Sequence, residues 1–278
     1  MSPTENRLAR IAPTPSGYLH AGNVANFLIN AFLAGEDGEL LLRIDDLDNS
    51  RFREAYLEDI FRVLEHVGLR WTRGPRDAPD FHAHWSQQHR MPEYERALAV
   101  LRNHPLVFAC PCSRRELSEG GHAHNCLSGS ISLDTVGVAW RVNTRELSPQ
   151  TIENPLGGKP FVIDLQAEVP DFVIRKKNQL PSYQTGSVVD DLHFGVTHVA
   201  RGEDLLPSTA AQMVLADLMG QSASFATIEF LHHPLMLGPD GKKLSKSAGA
   251  RSQSILDDPT FDLTAIRRWI ASLFPPEK

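Results

Sequence analysis

The stretch Arg10-Ile-Ala-Pro-Thr-Pro-Ser-Gly-Tyr-Leu-His-Ala-Gly-Asn23 constrains the chain more than any other, because it reads as a strand, a ligand-facing loop and a helix start in succession. Leu8, Ile11 and Ala12 supply a short apolar run; Pro13 and Pro15 then stop regular structure, and Gly17 and Gly22 let the backbone bend and approach a ligand. Beyond the loop, Val24, Phe27, Leu28, Ala31 and Phe32 recur at helical spacing, which predicts a helix with one buried face and its first turn near Gly22 and Asn23. A helix N-terminus carries unpaired N–H groups and partial positive charge, so phosphate is its natural guest. His20 stands at the loop edge before that turn, placed to donate to a phosphoryl oxygen. Alone, a Gly/Pro turn beside a surface histidine is common and decides nothing.

A second stretch, Gly241-Lys242-Lys243-Leu244-Ser245-Lys246-Ser247, suits a loop that swings cations onto a polyphosphate. By itself it reads as a solvated basic loop. Together, the two stretches resemble the paired signatures of class I aminoacyl-tRNA synthetases. Leu42-Arg43-Ile44-Asp45-Asp46-Leu47-Asp48, Pro181-Ser182-Tyr183, Val188-Val189-Asp190-Asp191 and Thr197-His198-Val199-Ala200-Arg201-Gly202-Glu203-Asp204 follow in the order and rough spacing of the glutamyl-tRNA synthetases. The resemblance runs from about Arg7 to Ser247. The sequence ends at Lys278, too soon after Ser247 for an anticodon-binding domain, so it is similar to the truncated glutamyl-Q branch, which places glutamate on the queuosine base of tRNA(Asp).

Composition narrows the setting. With 278 residues, 41% hydrophobic and 22% charged, the chain has material for an ample core and reads as an ordinary globular protein of one large domain or two linked ones. No apolar run approaches a membrane span and the N-terminus lacks the apolar core of a signal peptide, so a cytoplasmic location and no membrane partner are expected. A net charge of −6 gives no overall cationic surface, and local clusters such as Arg175-Lys176-Lys177 and Arg267-Arg268 are commonly solvated faces. RNA affinity is therefore expected to be modest and salt-sensitive. Three cysteines cannot all pair within the chain; Cys110, Cys112 and Cys126, with His122 and His124 between them, fit metal binding better than a disulfide framework.

Along the chain, Leu40 to Ile44 reads as a second buried strand, and Leu57, Ile60, Phe61, Leu64 and Val67 as an amphipathic helix closed by Gly68. Trp71 to Trp85 reads as a loop with no assignable chemistry. Tyr94, Leu98 and Leu101 mark a helix, and Val107 to Ala109 a strand. This alternation indicates an α/β domain. From Cys110 to about Pro170 the composition shifts to Gly, Ser and Asn with short strands near Trp140 to Val142 and Phe161 to Asp164, read as an insertion. The β/α pattern is expected to resume with Phe172 to Arg175, then His198 to Arg201, a helix from Ser208 to Leu218, a strand near Ile228 to Leu231, and a last helix from Leu263 to Leu273. The expected partition is residues 1–109 and 171–250 as two halves of a nucleotide-binding domain, 110–170 as the insert, and 251–278 as a C-terminal helix.

The resemblance implies a class I synthetase Rossmann-type nucleotide-binding fold with an inserted zinc-binding acceptor subdomain and no anticodon-binding domain. It also implies roles. ATP, carrying Mg2+, would be held by His20, Gly22, Asn23, Lys243, Ser245 and Lys246, with His20, Lys243 and Lys246 as the catalytic donors. The second histidine of the conventional signature is Asn23 here, a departure glutamate-branch enzymes share. Glutamate would be bound by Arg10, Ala12, Thr14, Asp45, Tyr183 and Arg201, the two arginines serving its carboxylates. Asp45 departs from the family's usual Glu; its side chain, one methylene shorter, must draw the substrate ammonium in or bridge to it through water. A structural zinc would be held by Cys110, Cys112, Cys126 and His122, the last standing where the glutamyl-Q branch has Tyr, with His124 as competitor. The implied partners are glutamate, ATP and tRNA(Asp), and the implied state is a monomer. Two other readings stay open: a minimal glutamate–tRNA ligase or adenylate-forming enzyme with a non-tRNA acceptor, and a non-catalytic binding paralogue.

Overall fold

Each residue of Leu8–Ile11 (β1) is buried, the pattern of a parallel strand covered on both faces. The computed structural model describes residues 7–122, 125–236 and 253–274. After β1 come Ala21–Ala34 (α1), Glu39–Leu42 (β2), Glu54–His66 (α2), Ala78–Asp80 (α3), Met91–Arg102 (α4), Val107–Cys110 (β3) and Arg114–Gly120 (α5). Then follow Ala139–Val142 (β4), Gln150–Ile152 (β5), Phe161–Ile163 (β6), Leu165–Glu168 (α6), Val173–Arg175 (β7) and Tyr183–Phe194 (α7). His198–Gly202 (β8), Leu206–Leu218 (α8), Ser222–Phe225 (α9), Glu229–His233 (β9) and Leu263–Leu273 (α10) complete the described elements.

The main sheet has the order β2-β1-β8-β9, with every pairing parallel. In such a sheet, ligands bind beyond the carboxyl ends of strands where the chain reverses direction of travel. That point is the junction of β1 and β8, and the loops after both strands carry candidate residues. The helices cover the sheet with the apolar faces that their periodicity predicts: Leu57, Ile60, Val63 and Leu64 of α2 are fully buried in one core cluster with Val24 and Phe27 of α1. Among the described residues no helix is long and apolar enough to cross a membrane.

Most elements fall where the sequence predicts, and the departures have physical causes. Phe32, expected on the buried face of α1, is 57% exposed and stacks against Phe274 just beyond α10, at 4.6 Å between centroids. Trp71 to Trp85, expected as a loop, contains α3 and a wide helical turn at Phe81–Trp85 that buries Phe81 completely. β7, expected to reopen the nucleotide-binding pattern, pairs antiparallel with β4 in a separate sheet of order β3-β4-β7. A three-residue apolar run carries no record of its partner. Here the Arg175 guanidinium lies 4.3 Å from the centroid of Trp140, and Ile174 is buried beside it, which fixes the pairing to β4. β5 and β6 form a two-stranded antiparallel hairpin. α10 lies where predicted, with Ile266 buried and Trp269, Ile270 and Leu273 packed towards Ile29 of α1 and Leu231 of β9.

Candidate active site

His20 is the N-cap of α1, in an extended conformation, and its role there is reciprocal with Asn23. The Asn23 backbone N–H donates to His20 Nδ1 at 3.3 Å, and the His20 N–H donates to Asn23 Oδ1 at 3.0 Å. This capping box satisfies two backbone donors at the helix start, the His20 N–H and the Asn23 N–H. It also gives a structural reason for Asn23, since a short amide closes the box. With Nδ1 accepting, the neutral ring carries its proton on Nε2, so the nitrogen away from the cap is the donor. A Cβ at Gly22 would sit 3.1 Å from two atoms of the His20 ring, so glycine there preserves the ring's position.

The structure brings Arg10, Ala12, Thr14, His20, Gly22, Asn23, Asp45, Tyr183 and Arg201 around one cavity of about 390 Å³ at the carboxyl ends of β1 and β8. Asn26, Phe27, Gly202, Asp204, His233 and Met236 complete much of its wall. Lys243, Ser245 and Lys246 lie outside the described residues, as does His124.

Beneath the cavity lies a buried ion network. Arg10 donates to Asp191 through Nε at 2.9 Å and Nη2 at 3.4 Å, and Arg43 donates to the same carboxylate through Nη1 at 2.7 Å. Arg43 also grips Asp45 from Nε at 2.7 Å and Nη2 at 3.1 Å. Asp190, one residue earlier on α7, accepts from Arg90 at 2.8 and 3.0 Å, from Tyr94 at 2.7 Å and from Gln87 at 2.9 Å. Arg10, Arg43 and Arg90 thus balance Asp45, Asp190 and Asp191. Burial works to raise Asp191, but the guanidinium groups of Arg10 and Arg43 win and hold it below the usual carboxylate range. Asp45 goes the other way: burial pushes its carboxyl up, against the pull of Arg43. Both Asp45 oxygens accept from Arg43, so the carboxylate is turned towards that guanidinium.

Arg201 differs from Arg10, Arg43 and Arg90 because no carboxylate among the described residues grips it. Its Nη1 donates to Gln212 at 2.9 Å and Thr209 at 3.2 Å, while Nε and Nη2 are buried with no hydrogen-bond partner among the described residues. Its guanidinium lies 4.8 Å from the centroid of Phe230. Burial pulls Arg201 down to about 10, which still leaves it charged at neutral pH. His232, held down to about 3 by burial and then by Arg201, stays neutral beside it. A buried cation that lines a cavity and has two donors without a partner among the described residues suits an anionic ligand.

Away from this cavity, Cys110, Cys112, His122 and Cys126 place their ligand atoms within 4.8 Å of one another. Cys110 Sγ is 3.4 Å from His122 Nδ1, and Cys112 Sγ is 3.6 Å from Cys126 Sγ. A tetrahedral zinc with bonds of about 2.0–2.3 Å separates its ligands by roughly 3.5–3.8 Å, so donor set and spacing both fit.

A family model described as tRNA synthetases class I (E and Q), catalytic domain, matches residues 8–131 and 138–274. The chain belongs to this synthetase family. A glutamyl-Q tRNA(Asp) synthetase of Pseudomonas syringae pv. syringae (strain B728a) is 36% identical over 86% of the chain and 77% of its own length. A glutamate–tRNA ligase of Dehalococcoides mccartyi (strain CBDB1) is 32% identical over 87% of the chain and 51% of its own length. The chain thus spans about half the length of the glutamate–tRNA ligases it matches. A crystal structure of glutamate-tRNA synthetase from Elizabethkingia anophelis aligns with a TM-score of 0.70 at 26% identity, covering 86% of the chain and 52% of that protein.

Within this synthetase fold, sequence reasoning missed the network that supports the cavity. Arg43, Asp190 and Asp191 lie in the family-like motifs without an assigned role, Tyr94 carries no signal beyond helical spacing, and Gln87 and Arg90 carry none. Asn26 was also missed; its Nδ2 donates to the Ala200 carbonyl at 2.9 Å and lies 3.2 Å from His233 Nε2, tying α1 to β8 and β9.

Proposed function

We propose that the chain activates glutamate with ATP as glutamyl-adenylate and transfers the glutamyl group to the queuosine base of tRNA(Asp). The observation that carries this reading is Arg201, which lines the cavity that also holds the N-terminus of α1 and His20 and has two buried donors without a partner among the described residues. An anionic amino-acid side chain and a polyphosphate are the ligands that such a pair of subsites suits. The glutamyl-Q tRNA(Asp) synthetase of Pseudomonas syringae pv. syringae (strain B728a) supports the choice of acceptor.

In activation, a substrate α-carboxylate oxygen attacks the α-phosphorus of ATP and pyrophosphate leaves with its electron pair, so negative charge grows on phosphoryl oxygens. Donors serve this step better than a base. His20 Nε2 and the first-turn amides of α1 act there, and Lys243 and Lys246 are assigned to the departing pyrophosphate by family resemblance, with Ser245 beside them. Mg2+ enters with ATP. Arg201 receives the side-chain carboxylate, with Arg10 Nη1 as second donor. Tyr183, at the first position of α7, and Asp45 face the ammonium end. We assign residues 1–109 and 171–250 to the two halves of this catalytic unit and 110–170 to its insert, except that β3 and β7 pair with β4 and so go with the insert's sheet.

An ATP–pyrophosphate exchange assay across the twenty amino acids tests the activation step. Glutamate is expected to exceed glutamine by about 2–4 kcal/mol, roughly 30- to 10³-fold, because a neutral amide leaves Arg201 buried without its counter-charge. Preference for aspartate or another amino acid would instead show that Asp45 has redefined the pocket, and Asp45→Glu should then restore glutamate.

The Cys110, Cys112, His122 and Cys126 cluster is assigned to a structural zinc. The ion would cross-link β3, the segment after it and the turn at Cys126 without touching substrate. Metal analysis of protein purified without chelator should find about one zinc per chain, and Cys126→Ser should lose it and lower the melting temperature. Full zinc content in Cys126→Ser would refute the ligand set.

A further inference from the structure

Asp171 lies in none of the motifs above, yet every polar group it has is engaged. It is 6% exposed and holds a φ of 44°, left-handed backbone that is uncommon outside glycine and that Asp and Asn adopt more readily than other residues. Its N–H donates to Thr144 Oγ1 at 3.1 Å, and its Oδ1 accepts from the Thr144 N–H at 3.1 Å. Its carbonyl accepts from Arg141 Nη1 at 2.7 Å. The remaining oxygen, Oδ2, is 2.8 Å from His122 Nε2.

That last contact determines what the imidazole can do. His122 Nδ1 faces Cys110 Sγ at 3.4 Å, and the Phe108 ring stands edge-on to it at 5.2 Å between centroids. With Nε2–H donated to a carboxylate, the Nδ1 lone pair is the one presented to the sulfur cluster. A carboxylate on the far nitrogen of a metal-bound histidine fixes the tautomer, holds the ring plane and raises the basicity of the ligating nitrogen.

We propose that Asp171 is the positioning residue of the metal cluster: it sets His122 as an Nδ1 ligand and, through Thr144 and Arg141, ties the ion to the β3-β4-β7 sheet. The inference rests on the zinc reading. It explains why a buried aspartate holds left-handed backbone two residues before the start of β7. In that conformation its side chain reaches His122 and Thr144 together while its carbonyl meets Arg141.

The test uses the full chain purified with zinc, titrated against a chromophoric chelator, with the cobalt-substituted absorption spectrum as second readout. Asp171→Asn keeps the shape and tolerates left-handed backbone; Asp171→Gly tolerates it better and removes the carboxylate. Both should weaken zinc binding about 10- to 100-fold and alter the cobalt spectrum. A purely structural role would lower the melting temperature of metal-loaded and chelator-stripped protein alike and leave the affinity unchanged. Wild-type affinity in either folded variant overturns the proposal. If the unmutated protein takes up no zinc or cobalt, the zinc reading itself fails and the proposal falls with it; uptake by the parent with unchanged affinity in the variants sinks only the role of Asp171.

Discussion

Asp191→Asn is expected to cost about 3–5 kcal/mol of stability, the penalty for leaving buried charge uncompensated. Asp191 is wholly buried and accepts from both Arg10 and Arg43, so the neutral amide takes from Arg10 its carboxylate partner and leaves Arg43 with Asp45 and the more distant Asp190. The pH dependence follows from the sign of the shift. The folded-state pKa of Asp191 is depressed, so its contribution is fully present above the ordinary carboxylate pKa of about 3.9 and is lost as pH falls through the lower folded value. Asp190, also depressed because Arg90 and Arg43 outweigh burial, adds to the same acid limb. Urea unfolding at pH 7 and again at pH 3 should show a large deficit for Asp191→Asn at neutral pH that narrows in acid. A deficit below about 1 kcal/mol at pH 7 would mean that the network is not a coupled unit.

Replacing His20 is expected to slow adenylate formation about 10²- to 10³-fold, the usual effect of removing one well-placed donor from a developing oxyanion. Because His20 is also the N-cap of α1, His20→Ala loses a cap worth about 0.5–2 kcal/mol as well, and the two effects must be separated. His20→Asn does so. Asparagine is a preferred N-cap and can accept from the Asn23 N–H, yet it has no imidazole Nε2. It should melt close to the unmutated protein while the exchange rate falls as far as in His20→Ala. Full activity in His20→Asn would confine His20 to capping.

The sequence disclosed most of what local pattern can encode. The Pro13 and Pro15 breaks, the helical spacing of Val24 and Phe27, and the cysteine spacing each depend on neighbours in the chain, and α1, α2, α4, α8 and α10 lie where their apolar spacing puts them. Long-range pairing left no such trace. Arg10 meets Asp191 across 181 positions and Arg90 meets Asp190 across 100, and a charged residue carries no period that names its partner. Trp71 to Trp85 read as featureless. The segment that follows it anchors the site from behind, with the Gln87 N–H donating to Asp46 at 2.7 Å and its side chain to Asp190 at 2.9 Å. β7 shows the same limit in a strand, since Val173, Ile174 and Arg175 would suit either sheet and only packing against Trp140 decides. For the site, the resemblance named Arg10, His20, Asp45, Tyr183 and Arg201, which the structure sets around one cavity, but it could not show that Asp45 turns towards Arg43 or that two Arg201 donors have no partner among the described residues.

The most direct test of the account is transfer of labelled glutamate to purified tRNA(Asp) with and without queuosine, with tRNA(Glu) alongside. Label is predicted on the queuosine-containing tRNA(Asp) alone, weakening as salt rises because part of the contact is made to phosphates. Label on the 3′ end of tRNA(Glu), or none on any RNA while glutamyl-adenylate forms, would contradict it.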